Sequence, residues 1–252
     1  VNINSMASSA TNTSTTGYHE PVMLKECIAA LQVKGNGVYV DCTFGGGGHS
    51  RAILSQLSAE GQLFAFDQDA DALANVPQDN RLVLIPQNFR HLQRFLRLYQ
   101  VGQVNGLLAD LGVSSHQFDE ASRGFSYRFE APLDMRMDTR QGQTAADLLN
   151  SLSVTQLQQV LSTYGEVTNA KTLAQALEAE RRIAPFKSIS DLLRVLQPLS
   201  KGNPQRYFAQ VFQALRIAVN EETAVLEEML AQLPDCIAPG GRVAIITFHS
   251  LE

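Results

Sequence analysis

Val38-Tyr39-Val40-Asp41-Cys42-Thr43-Phe44-Gly45-Gly46-Gly47-Gly48-His49-Ser50 decides how this chain folds. The β-branched and aromatic run Val38 to Val40 reads as a buried strand. Four glycines follow, and helical spacing resumes over Arg51 to Leu57. Strand, glycine turn and helix together open a nucleotide-binding α/β sheet. Glycines allow a sharp turn and a close ligand approach, and a helix start aims unsatisfied N–H groups at that ligand.

Four glycines alone are weak evidence, since a flexible loop reads the same way. The next unit adds weight. Gln62 to Asp67 is a second strand ending in an acid about twenty positions after the first glycine, where a carboxylate accepts hydrogen bonds from both ribose hydroxyls of an adenosine. A dinucleotide site wants a third glycine where this chain has Ser50. Asp41 before the turn is a poor neighbour for a pyrophosphate and suits a cationic sulfonium. The expected cofactor is therefore S-adenosylmethionine rather than NAD.

The alternation continues with a short helix from Asp69 to Asn75, a strand from Leu82 to Ile85, a helix from Phe89 to Tyr99 and a strand from Gly106 to Asp110. Such alternation predicts a parallel, doubly wound, Rossmann-like sheet with ligands at the carboxyl ends of its strands. Asp41, Asp67 and Asp110 are expected to converge there. From His116 the alternation stops, and only helical periods follow: Leu157 to Tyr164, Asn169 to Ile183, Ser190 to Leu196, then a long helical run from Phe208 towards Leu233. Strand five is expected over Arg242 to Phe248. The domain reading is a tail over 1–17, a methyltransferase-type sheet over 18–118, an inserted helical domain over 119–207 and the second part of the sheet over 208–252. The first helix is expected to start at Tyr18-His19-Glu20-Pro21 and run to about Gln32.

At 252 residues, 44% hydrophobic and 18% charged, the chain suits a globular protein, and no apolar run approaches the ~20 residues of a membrane span. Three scattered cysteines point to a reducing, cytoplasmic setting, and no His/Cys/Asp cluster has metal-ligand spacing. The net charge of −5 hides an asymmetry: residues 121–216 carry net +4 and the remainder net −9. A basic middle segment suggests contact with a polyanion, with Arg136, Arg140, Arg181, Arg182 and Lys187 as candidate RNA-backbone contacts. Arg90, Arg94 and Arg97 form either a solvated helix face or a further RNA contact.

Several stretches together resemble the bacterial RsmH (MraW) family: the Thr43 to Ser50 run, Leu111-Gly112-Val113-Ser114-Ser115, Arg123-Gly124-Phe125-Ser126, Pro132 to Asp138, Phe212 to Ile217, and Phe248-His249-Ser250-Leu251-Glu252. The resemblance covers about residues 18–252. It implies an S-adenosylmethionine-dependent methyltransferase acting on N4 of a cytidine in 16S ribosomal RNA within the small subunit, as a monomer or homodimer. It further implies cofactor contacts at Gly47, Gly48, His49, Asp67, Phe89, Asp110 and Gln117. Phe89 reads equally well as an adenine-stacking ring or a core residue. Asp110 reads as a cofactor contact or as the acceptor of an N4–H, a role open also to backbone carbonyls in the Leu111–Ser114 loop, and His249 as a border of the cytosine pocket or a structural histidine. The family often carries arginine where this chain has Gly46, and it continues beyond Glu252, so a C-terminally shortened form with an exposed apolar edge at Val243 to Ile246 is expected. The rivals are a non-catalytic ribosome-assembly or RNA-binding factor, an NAD-dependent dehydrogenase and a DNA cytosine methyltransferase.

Overall fold

The structure, a computed structural model, describes residues 21–252. The expected tail over 1–17 and the Tyr18 to Glu20 helix start lie outside the described residues. The first helix, α1, spans Leu24–Leu31.

Five strands, β1 (Val38–Asp41), β2 (Gln62–Phe66), β3 (Leu82–Ile85), β4 (Val104–Asp110) and β5 (Ile237–Ile246), form one parallel sheet in the order β3-β2-β1-β4-β5. Connections run one way from β1 to β3 and the other way from β4, so a crevice opens at the carboxyl ends of β1 and β4. The register Asp41↔Ala65 and Asp41↔Leu108 lets β2 run one residue and β4 two residues past the end of β1. Side chains alternate between the two faces. Val40, Phe64, Phe66, Leu107 and Ala109 pack with α3 (Leu92–Leu98) and α10 (Glu222–Cys236). Tyr39, Leu63 and Leu108 pack with α1 and α2 (Gly48–Leu54). This is the expected α/β sheet.

Differences from the sequence reading have local causes. β5 begins at Ile237, five residues early, because the Pro239-Gly240-Gly241 stretch is absorbed as a register shift between Val104 and Gly106 rather than ending the strand. Phe248 and His249 lie beyond it. Of the expected apolar edge, Val243 is 39% exposed, but Ile246 is 6% exposed and packs with the α1 side. The single helical run after Phe208 is two helices, α9 (Pro204–Asn220) and α10, separated by Glu221 at φ 51°. Two short helices were unread: α4 (Ser115–Asp119) and α5 (Ala145–Ser151) are too short for a period to show. Each carries a capping box, Ser114 with Gln117 and Thr144 with Asp147.

The helical core is built by α5, α6 (Val154–Gly165), α7 (Ala170–Ile183), α8 (Ile189–Leu199) and α9 around Leu149, Leu161, Leu177, Leu196 and Leu215. The boundary read at 207/208 falls inside α9, whose buried Tyr207, Val211, Phe212 and Leu215 belong to this core. Gly165 is the last residue of α6, and Glu166 takes the left-handed position. A Cβ on Gly165 would sit 2.5 Å from the Gln210 carbonyl oxygen and 3.0 Å from Ala214 Cβ. Glycine is there to let α6 and α9 touch. Gly165→Val should destabilise by ~3 kcal/mol through overpacking and lower the thermal midpoint by ~10 °C. A calorimetric midpoint equal to the parent's would mean the crossing opens without cost.

Candidate active site

The glycine turn links β1 to α2. Phe44 N–H donates to the Phe66 carbonyl (2.9 Å), and Gly47 N–H closes back on the Phe44 carbonyl (2.6 Å). Gly47 has φ 74° and caps α2 without a side-chain acceptor, leaving first-turn amides to be satisfied otherwise. At positions 47 and 48 a Cβ would collide with the chain itself. A Cβ on Gly47 would meet Phe44 and Arg51 at 2.8 Å, and one on Gly48 would meet Pro21 Cγ at 2.1 Å. The open side of the turn is at Gly45, where a Cβ meets nothing within 4 Å.

The three strand-end acids are not equivalent. Asp41 is fully buried and accepts from Ser50 Oγ (2.7 Å) and Thr43 N–H (3.1 Å). Burial pushes its carboxyl up, against those two bonds. It is a structural hub of the turn, which corrects its expected place facing a sulfonium. Asp67 accepts from Gly45 N–H (2.7 Å) and Asp69 N–H (2.8 Å), and burial raises it to about 6. Each of its oxygens keeps a further lone pair. Asp110 is a quarter exposed. Its backbone N–H donates to Thr43 Oγ1 (2.8 Å), yet side-chain Oδ1 is buried with no hydrogen-bond partner. Burial raises its carboxyl to about 6; His49 pulls it down, and Asp41 and Glu252 push it further up. An orphaned buried oxygen on a perturbed acid in a crevice marks a place for a ligand.

The other candidates sit around this centre. His49 is buried; its Nε2 lies 3.1 Å from the Val22 carbonyl, which can only accept, so Nε2 carries the hydrogen and Nδ1 faces Asp110 Oδ2 at 3.9 Å. Phe89 is half-buried just beyond β3, against the sheet core. Gln117 is buried: its Oε1 accepts from Ser114 N–H and its Nε2 donates to Asp69 Oδ2 at 2.7 Å. His249 lies past β5 with Nε2 3.2 Å from Glu252 Oε1. With Glu222 these residues bring three possible metal ligands within 4.8 Å. Arg216 donates to both Glu222 oxygens at 2.8 and 3.0 Å, so a guanidinium already supplies positive charge to that acid.

Most of the expected RNA-facing arginines are engaged within the protein. Arg136 forks onto Asp134, Arg140 onto Asp138 and the Pro86 carbonyl, and Arg181 onto the Leu149 and Leu152 carbonyls that end α5. Arg182 pairs with Glu178 on the surface, and Lys187 is exposed. Arg90 bridges Glu228 and Glu221, whereas Arg94 and Arg97 are exposed on that helix face. Sequence reasoning missed Arg123 and Asp69, a buried pair at 2.8 Å beside the site. Arg123 opened one of the quoted motifs, and that was the available signal.

The MraW methylase family matches residues 16–252. The chain belongs to that family. The ribosomal RNA small subunit methyltransferase H of Parabacteroides distasonis is 52% identical over 237 residues, covering 93% of this chain and 78% of that protein. The enzyme of the same name from Cytophaga hutchinsonii is 52% identical over 238 residues, covering 93% of this chain and 80% of that one. Among solved structures, an rRNA methylase from Streptococcus thermophilus superposes with a TM-score of 0.29 at 18% identity, over 46% of this chain and 70% of that one. Membership in a methylase family carries the enzymatic reading of this methylase over a non-catalytic assembly factor. No helix of the described residues is long and apolar enough to cross a membrane.

Proposed function

We propose that this methylase transfers a methyl group from S-adenosylmethionine to N4 of a cytidine in 16S ribosomal RNA, held within the small ribosomal subunit, with Asp110 accepting the N4–H. The observation that carries the reading is the orphaned, buried Oδ1 of Asp110 at the switch point of the sheet. The residues suit the cofactor. Asp67 has lone pairs left for two ribose hydroxyls, the turn is open at Gly45, and Phe89 offers a ring face beyond β3. Gly47, His49 and Gln117 shape that cradle through internal bonds, and Gly48 through its close approach to Pro21. When bound, the cofactor supplies a methyl group on a cationic sulfur.

Cytosine N4 is a weak nucleophile because its lone pair is delocalised into the ring. Asp110 counters this by accepting an N4–H, which localises electron density on nitrogen. As the N–C bond forms and the S–C bond breaks, the N4 proton passes to Asp110 and then to solvent. A carboxyl held at about 6 is ionised above neutrality yet more basic than an ordinary aspartate. His49, anchored on the Val22 carbonyl, flanks the carboxylate from the α2 side at 3.9 Å. His249 borders the same crevice through Glu252, which lies close enough to push Asp110 up. The base must leave its stack to reach the crevice.

The test uses labelled S-adenosylmethionine, small subunits lacking the modification, and nucleoside mass analysis of the product, with free RNA and DNA alongside. N4-methylcytidine in subunit RNA is the expected product. Label on another atom, or preferential labelling of DNA, would overturn the reading.

A further inference from the structure

Arg123 is a buried charge that the reaction above does not use. Its side chain is 9% exposed. Nη1 donates to Asp69 Oδ2 (2.8 Å) and Asp71 Oδ2 (3.1 Å), while Nη2 donates to the carbonyls of Arg136 (3.0 Å) and Met137 (3.2 Å). Asp69 in turn is 8% exposed and has every polar group committed. Its backbone N–H donates to Asp67 Oδ1 at 2.8 Å, Oδ1 accepts from Asp71 N–H, and Oδ2 accepts from Gln117 Nε2 at 2.7 Å as well as from Arg123. On the far side, Asn220 of α9 brackets the same strand of chain, donating to the Met135 carbonyl (2.8 Å) and accepting from Met137 N–H (2.7 Å).

We propose that Arg123 is a positioning residue for the cofactor: by holding Asp69 it fixes Asp67 and Gln117, and it ties that arrangement to the 136–137 segment carried by the helical core. This rests on the cofactor assignment above. The turn after β2 places two carboxylates, Asp67 and Asp69, two residues apart in a mostly buried site, and Asp69 is one of the charges that push Asp67 up. Without a cation on Asp69 that repulsion would splay the turn and swing Asp67 off the ribose position. The planar fork matters as much as the charge. One guanidinium serves two carboxylates and two carbonyls along separate directions, which a lysine ammonium cannot reproduce.

A buried ion pair that only holds the fold together would affect melting and not the cofactor specifically, so the readouts must separate the two. Titrate S-adenosylhomocysteine calorimetrically into the full chain and into Arg123→Lys, and follow methyl transfer and thermal melting of both. The expected result for Arg123→Lys is a Kd weaker by about tenfold with kcat at saturating cofactor within about twofold. If Arg123→Lys does not fold, the double variant Asp69→Asn with Arg123→Met replaces it, since deleting both charges of a buried pair is often tolerated. Folded double variant with a Kd at least about tenfold weaker supports the positioning role. A parental Kd in either folded variant sinks the proposal alone. No binding by the parent sinks the cofactor assignment and this proposal together.

Discussion

Asp110→Asn lowers methyl transfer by about a thousandfold and changes S-adenosylhomocysteine affinity by less than about threefold. The amide keeps the size of the side chain but cannot take up a proton, and it presents an NH2 group that repels an incoming N4–H in one of its two orientations. Because the parent's carboxyl sits at about 6, its single-turnover rate should climb as pH rises through about 6 and level off above, whereas the residual rate of Asp110→Asn should lose that step. Stability should move the opposite way. A carboxyl raised in the folded state binds protons more tightly than in the unfolded chain, so folding loses stability as pH rises from the ordinary carboxylate range through about 6. The full shift from 3.8 to about 6 corresponds to at most ~3 kcal/mol. Asp110→Asn should therefore melt higher than the parent at pH 8 and close to it at pH 4. Equal losses in affinity and rate would instead make Asp110 a cofactor ligand and nothing more.

Strand ends were legible because a β-branched run closed by an acid and followed by a turn has few other readings. What one sequence does not display is which of three acids is wet. Asp41 and Asp110 end adjacent strands, Asp110 two residues further along because Asp41 pairs with Leu108; Asp41 is sealed by Ser50 and Thr43 while Asp110 keeps an oxygen without a partner. The difference lies in donors from α2 and the turn, which only the packed fold brings near. The net +4 over 121–216 already counts its aspartates and stands; what the sequence did not show is which arginines are locally engaged. Asp79-x-Arg81, Asp134-x-Arg136 and Asp138-x-Arg140 share one spacing, and in each the aspartate accepts from the arginine's backbone N–H, its Nε and its Nη2. An aspartate two residues before an arginine is thus a local turn lock, which leaves the net charge of a segment unchanged but makes that arginine a weaker candidate for a phosphate contact. The short helices after Ser114 and Thr144 were legible only through their capping boxes. Arg123 lay inside a quoted motif, but its partners are 54 and 52 residues away in sequence.

Asp67→Ala should weaken S-adenosylhomocysteine binding by about a hundredfold or more while leaving the rate at saturating cofactor within about threefold. Two losses combine. A ribose hydroxyl bonded to a charged acceptor contributes ~1.5–3 kcal/mol, so losing two such bonds alone reaches that factor. The backbone N–H groups of Gly45 and Asp69 also lose their acceptors, at 2.7 and 2.8 Å, which frees the glycine turn from the end of β2. Asp67→Asn is not a mild control. Its NH2 group must face one of those two N–H donors, so it should bind nearer to the alanine variant than to the parent. The parent carries a built-in check, since burial holds its Asp67 carboxyl at about 6. Its affinity should fall as pH drops from 8 to 5.5, because a protonated carboxyl surrenders an acceptor, and Asp67→Ala should lose the part of that fall due to Asp67. Calorimetric titrations of both proteins at the two pH values settle it. Equal affinities would place the ribose elsewhere and leave Asp67 as a strut of the glycine turn, with Asp110 the one strand-end acid that meets a ligand.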